Sequence, residues 1–190
     1  MSKKEEILDL ALTLFAEEGY DNTGVQKIVD AADVKKPTLY HYFGSKEGLL
    51  DEMLEQYYTP FLEELLKISE YRGDIVLTLE KIIFHYLKFA KENLSFYKMV
   101  LNLSFAPEKS LTYNSIIKYA VAQHKIIGNM FIEAANHHGN MKGKSSMLTY
   151  TFIGIINSNI SYYLYTKNDR DIDRDSARKL CQQFMYGIFS

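Results

Sequence analysis

Lys35, Lys36, Thr38, Tyr40 and His41 fall within seven consecutive residues. Ammonium groups, hydroxyls and one imidazole at that spacing form a set of donors with an aromatic among them. Such a set suits the base edges and phosphates of a DNA major groove. Bond-breaking chemistry has no comparable set: there is no glycine-rich phosphate loop, no cysteine pair, and no Ser-His-Asp or Cys-His arrangement. The chain is therefore read as a non-enzyme with no cofactor. The nearest approach to a metal site is Glu133 with His137 and His138, joined by His124. Histidines at the end of a helix followed by Gly139 are explained as well by the helix C-terminus, so no metal is assigned.

The donors must be carried by a short helix, and the residues before them supply its partner. Val25, Ile28, Val29 and Ala32 recur at helical spacing, which gives one apolar stripe opposite Gln26, Lys27 and Asp30. Thr23 with Gln26 three residues on reads as a capping box at the start of this helix. Asp33 and Val34 make the turn, with Asp33 tolerating a left-handed backbone and Val34 pointing inward. The second helix covers about 35–43 and places Pro37 in its first turn, where a missing amide hydrogen breaks no bond. Leu39, Tyr42 and Phe43 are expected to face the core. This is a helix-turn-helix pattern.

With Phe15-Ala16-Glu17-Glu18-Gly19-Tyr20 ahead of it and Leu39-Tyr40-His41-Tyr42-Phe43-Gly44-Ser45-Lys46 at its end, the segment closely resembles the DNA-binding domain of the TetR/AcrR family of bacterial transcriptional regulators. The resemblance covers roughly the first 50 residues. It implies a DNA-contacting set of Thr23, Lys35, Lys36, Pro37, Thr38, Tyr40, His41, Tyr42 and Lys46, the last two at positions that usually hold the phosphate backbone. Asp33 stands where glycine is common in the family, and adds a negative charge near the expected phosphates. Pro37 stands where a small residue is common, and removes an amide. No arginine precedes Arg72, so the bidentate arginine–guanine contact is unavailable to this domain.

A length of 190 residues with 47% hydrophobic content is ample for a packed core. The net charge of −2 requires any DNA binding to rest on a local basic patch. Cys181 is the only cysteine, which excludes an intrachain disulfide and fits a reducing cytoplasm. No signal-peptide core follows the N-terminus. A first amphipathic helix runs over 4–19 with Ile7, Leu8, Ala11, Leu14 and Phe15 inward and Gly19 as its C-terminal cap. Ser45 caps a long helix over 45–69. Further helices are expected over 74–93, 94–103, 110–138, 145–166 and 175–189. The fold class is all-α: a three-helix helix-turn-helix domain at 1–47 and a helical effector-binding and dimerisation domain at 48–190.

Residues 145–166 contain no charged side chain, yet Thr149, Thr151, Asn157, Ser158, Asn159 and Ser161 are too many polar groups for a lone helix in lipid. A helix covered on two sides in an assembly accounts for them better, and the resemblance implies a dimer through the last two long helices. Phe152, Ile153, Ile156, Ile160, Leu180, Phe184 and Ile188 are the expected interface residues, with Gly154, Ser158 and Ser161 small enough for close approach. Fifteen tyrosines and eleven phenylalanines point either to a large aromatic core or to a pocket of rings with polar tips. Tyr58, Phe61, Phe84, Phe96, Met99, Tyr113, Tyr119 and His124 are the candidate lining. The sequence reads as a ligand-responsive repressor that binds a near-palindromic operator in double-stranded DNA as a cytoplasmic homodimer, off the membrane, and is released by a small, largely apolar or aromatic effector. The alternative is a helical small-molecule or protein-binding module whose DNA-binding domain does not function.

Overall fold

The computed structural model describes residues 2–166 and 173–187, which form nine α-helices and one 3-10 turn, Gly139–Met141, with no strand among them. The helices are α1 (Lys3–Glu18), α2 (Val25–Ala31), α3 (Lys36–Phe43), α4 (Lys46–Ile68), α5 (Ile75–Glu92), α6 (Leu94–Leu103), α7 (Leu111–Ala135), α8 (Ser145–Thr166) and α9 (Arg174–Tyr186). None of the described helices is long and apolar enough to cross a membrane. Packing gathers the chain into two compact units, Met1–Pro60 with Ser95–Tyr119, and Phe61–Leu94 with Ala120–Ser190.

The first unit begins with a capping box the sequence reading overlooked. The Ser2 hydroxyl accepts from the Glu5 amide at 3.2 Å, and the Glu5 carboxylate accepts from the Ser2 amide at 2.6 Å. These bonds hold the Glu5 carboxyl below its ordinary range. Gly19 ends α1 at φ +88°, as expected. The core is made by Ile7, Leu8, Ala11 and Phe15 of α1, Ile28 and Val29 of α2, Leu39 of α3, and Leu49, Leu50 and Met53 of α4, all essentially excluded from solvent. Burying each of the larger side chains contributes about 2 kcal/mol.

Two details fix the corners. The capping box expected at Thr23 and Gln26 does not form. Gly24 is the N-cap of α2 without a side-chain bond, and Gln26 instead donates to Asp30 at 2.7 Å. At the other end of α2, Asp33 takes φ +49°, and the Val34 amide reaches back to the Val29 carbonyl at 2.9 Å while Asp33 bonds to Asp30. This is a Schellman closure with aspartate at the position glycine usually takes. Ser45 caps α4 through the Gly48 amide at 3.0 Å. A Cβ added to Gly48 would collide with the Phe43 carbonyl oxygen, so the α3–α4 corner closes only around glycine.

In the second unit α5 packs on α9 and on α8. Leu79, Ile82, Ile83 and Leu87 of α5 are buried with Phe131, Phe152, Ile156 and Cys181. The Phe131, Phe152 and Phe184 rings pack at 5.0–6.2 Å between centroids. The Cys181 sulfur lies 3.9 Å from the Val76 carbonyl, and burial pushes its thiol up to about 11.

Candidate nucleic-acid interface

α3 is two-sided. Leu39 and Phe43 are buried, whereas Lys35, Lys36, Pro37, Tyr40, His41 and Tyr42 are exposed and Thr38 is half-buried. Tyr42 thus departs from its expected core position: it is 38% exposed, with its ring 5.5 Å from His41. Among the described residues neither Lys35 nor Lys36 pairs with an acid, while Lys27 is held by Glu18 at 2.6 Å and Lys4 by Glu52 at 2.7 Å. The free positive charge of this surface therefore sits at the start of α3, where a backbone phosphate or a base edge would meet it. Pro37 lies in the first turn of α3, so its missing amide leaves no bond broken.

Two members of the expected DNA-contacting set are occupied elsewhere. Thr23 is fully buried, and its hydroxyl donates to the Gly19 carbonyl at 2.8 Å; its side chain holds the α1–α2 corner and is corrected from contact to support. Lys46 donates to the carbonyls of Tyr20 at 2.8 Å and Thr23 at 3.1 Å, with its ammonium 4.0 Å from the centre of the Tyr20 ring. Burial draws its basicity down, against the opposing charges of Asp21 and Glu47. Tyr20, which shapes this corner, and Gly48, which closes the α3–α4 corner, were missed in the sequence; only the Tyr20 match to the family pattern signalled anything.

The candidate effector residues are divided between the two units. In the first unit Tyr58 stacks on Tyr119 at 4.9 Å and meets Phe96 edge-on at 5.4 Å. Met99 is buried and Tyr113 half-buried. These rings form a buried aromatic cluster. In the second unit Phe61 stacks on His85 at 4.7 Å, and the His85 Nε2–H donates to the Phe61 carbonyl at 3.0 Å. His124 bonds through Nδ1 to Ala120 of its own helix at 2.7 Å, with its ring beside Tyr150. Only Phe84 of the eight lines the open groove of that unit, about 470 Å³ beside α5 and the start of α9. Leu77, Phe89, Lys81 and Arg174 also line it, and the Arg174 guanidinium lies 5.7 Å from the Phe84 ring centre.

The expected interface set needs correction in the same way. Phe152, Ile153, Ile156, Ile160 and Leu180 are between 0% and 5% exposed within the single chain, so they are core and present no surface, whereas Phe184 is half-buried. Ile188 lies outside the described residues. The open side of α8 carries Met147, Tyr150, Thr151, Gly154, Ser158 and Tyr162. Of the histidines considered for metal, His138 Nε2 shares a hydrogen bond with the Tyr71 hydroxyl at 2.8 Å, and no group of three or more potential ligands is assembled among the described residues.

Comparison with known proteins agrees with this geometry. Residues 7–53 match the family model for bacterial regulatory proteins, tetR family. The chain is 38% identical over 81 residues to the HTH-type transcriptional repressor KstR2 of Rhodococcus jostii, covering 43% of this chain and 40% of that protein. It is 32% identical over 116 residues to the icaADBC biofilm operon negative transcriptional regulator IcaR of Staphylococcus epidermidis, covering 61% and 60%. The chain thus matches less than two thirds of the length of these relatives. Among solved structures, Bacillus subtilis FadR in complex with stearoyl-CoA superposes with a TM-score of 0.78 over 97% of this chain and 98% of that one, at 19% identity, a likeness of fold.

Proposed function

We propose that the protein is a regulator of the TetR/AcrR family, whose model its residues 7–53 match, and a ligand-responsive repressor in the cytoplasm that binds a near-palindromic operator as a homodimer. In this reading residues 1–47 are the DNA-binding module, and residues 48–190 carry effector binding and dimerisation. The carrying observation is the exposed face of α3 and its N-cap, where Lys35, Lys36, Tyr40, His41 and Tyr42 stand free of ion pairs among the described residues, above the buried Leu39 and Phe43. Repression is supported by the relatives, which are a repressor and a negative regulator.

The dimer uses the open face of α8. Its exposed, uncharged residues include Gly154 and Ser158, and an added Cβ at Gly154 would meet nothing within 4 Å, so a second helix has room to approach closely. Two recognition helices then meet successive major-groove turns about 34 Å apart.

The effector is small and largely apolar, and binds beside Phe84. The groove there sets Leu77, Phe84 and Phe89 among charges of both signs, Lys81, Lys88 and Arg174 with Glu64, Glu80 and Glu92, which suits an apolar body with a charged end. The stearoyl-CoA carried by a protein of like fold has that same character. Effector binding shifts the dimer toward a form whose recognition helices are wrongly separated for simultaneous docking. Selection of genomic fragments on the purified chain tests the proposal: it should recover a motif with dyad symmetry, and recovery of no enriched motif would sink it.

A further inference from the structure

We propose that Lys46 is a positioning residue, a latch that ties the first turn of α4 to the α1–α2 corner and so sets the angle at which the helix-turn-helix is held. This rests on the reading of the domain as DNA-binding. Lys46 is the first residue of α4. Its ammonium reaches back to the carbonyl oxygens of Tyr20, at 2.8 Å, and Thr23, at 3.1 Å, residues 26 and 23 positions earlier. The face of the Tyr20 ring lies 4.0 Å from the same nitrogen. An ammonium has three N–H donors; two carbonyls and a ring face take all of them.

The anchor is itself rigid. Tyr20 is 7% exposed and packs on Phe15 at 5.0 Å. Thr23 is fully buried, and its amide bonds to the Tyr20 carbonyl at 3.2 Å while its hydroxyl is held by Gly19. On the other side of Lys46 the corner is closed by the Ser45 cap and by Gly48 against Phe43. The start of α4 is therefore fixed to α3 through Gly48 and to the α1–α2 corner through Lys46. A second polar tie, Glu52 to Lys4, is exposed to solvent, with both side chains more than a third accessible. Of these two ties the Lys46 one is the sheltered one, where hydrogen bonds to charged groups count most. A phosphate could engage this ammonium only by taking it from its carbonyls and its ring.

The latch and a phosphate contact make different predictions. Neutralising a phosphate ligand releases one fewer counterion and flattens the dependence of log affinity on log salt by about 0.9. Releasing a latch leaves the phosphate contacts in place and loosens geometry.

The test compares wild type and Lys46→Met on the selected operator across a salt series, and on operators whose half-sites are moved one base pair closer or farther. We expect Lys46→Met to bind about tenfold more weakly at every salt concentration, with an unchanged slope and a flattened preference for half-site spacing. A slope reduced by about one unit with the spacing preference intact would overturn the latch, as would unaltered binding. A second arm uses the DNA-free wild type, in which the side-chain ammonium protons of Lys46 should exchange with water much more slowly in 15N NMR than those of Lys35 and Lys36. Equal exchange would overturn the proposal even if Lys46→Met fails to fold. If the wild type binds no DNA, the regulator reading fails alone and the exchange rates still decide the latch.

Discussion

The side-chain amide of Gln123 donates to the phenol oxygen of Tyr86, joining two groups that are 9% and 1% exposed. α7 and α5 are thereby pinned by a polar bond inside the second unit. Tyr86 has further interactions, so replacing it with phenylalanine mainly strips Gln123 of its acceptor. An unsatisfied buried donor costs about 1–3 kcal/mol. Tyr86→Phe and Gln123→Leu should each lower the urea midpoint, and the double variant should lose clearly less than the sum. Strict additivity in a denaturation cycle would show that the bond contributes nothing.

Acid should weaken the second unit through His85. Burial holds the imidazole below its ordinary 6.5, opposed in part by its bond to the Phe61 carbonyl and the charge of Glu64, and assisted by Lys88. The unfolded chain then takes up a proton near pH 6.5 while the folded chain waits for lower pH. Stability contributed by the neutral ring is complete above 6.5 and falls as pH drops from there to the folded value. His85→Gln, which retains a donor for the Phe61 carbonyl, should flatten that decline in thermal melts between pH 7 and 5. An equally steep decline in the variant would assign it to other groups.

The α8 residues separate folding from assembly. Ile156 is fully buried in the single chain, so Ile156→Asp should unfold the second unit, at a cost of about 4 kcal/mol or more. Gly154 faces open space, and Gly154→Arg should leave the circular dichroism spectrum unchanged while splitting the dimer in sedimentation. A folded Ile156→Asp, or a dimeric Gly154→Arg, contradicts this division.

Readout of DNA should favour thymine methyls and groove shape over guanine edges, because Lys35, Lys36, Thr38, Tyr40 and His41 lack an arginine fork among them. Lys36→Ala should flatten the salt dependence or change the preferred sequence, and Thr38→Ala, at a half-buried position, should change preference with little effect on salt. An operator whose information lies mainly in guanines touched by α3 would refute this.

Much of the first unit could be read from residue types because each type there has one local use. Asp33 tolerates positive φ and was needed where the chain turns; Pro37 fits only a first turn. Thr23 misled because Thr-x-x-Gln is also what results when threonine bonds backward to Gly19 and glutamine bonds forward to Asp30. The long-range carbonyl partners of Lys46 leave no mark in local spacing. In α8 the absence of charge on every side hid which face is inward, so the most apolar residues were taken for the interface when they are core. The groove beside Phe84 is lined largely by charged residues of α5, which in sequence look like any solvated helix face.

The burial of Cys181 makes the chain carry its own stopwatch. With one thiol in the whole protein, fully enclosed where α9 meets α5 and too weakly acidic to react readily, an alkylating reagent must wait for α9 to lift. Labelling under native conditions therefore times a single event, the parting of those two helices. Weakening the α9 N-cap by Asp173→Ala, which removes the acceptor of the Ser176 amide, should make that event more frequent, and an effector lodged beside Phe84 and Arg174 should make it rarer. A labelling rate indifferent to both would mean that the reagent reaches the sulfur by another route.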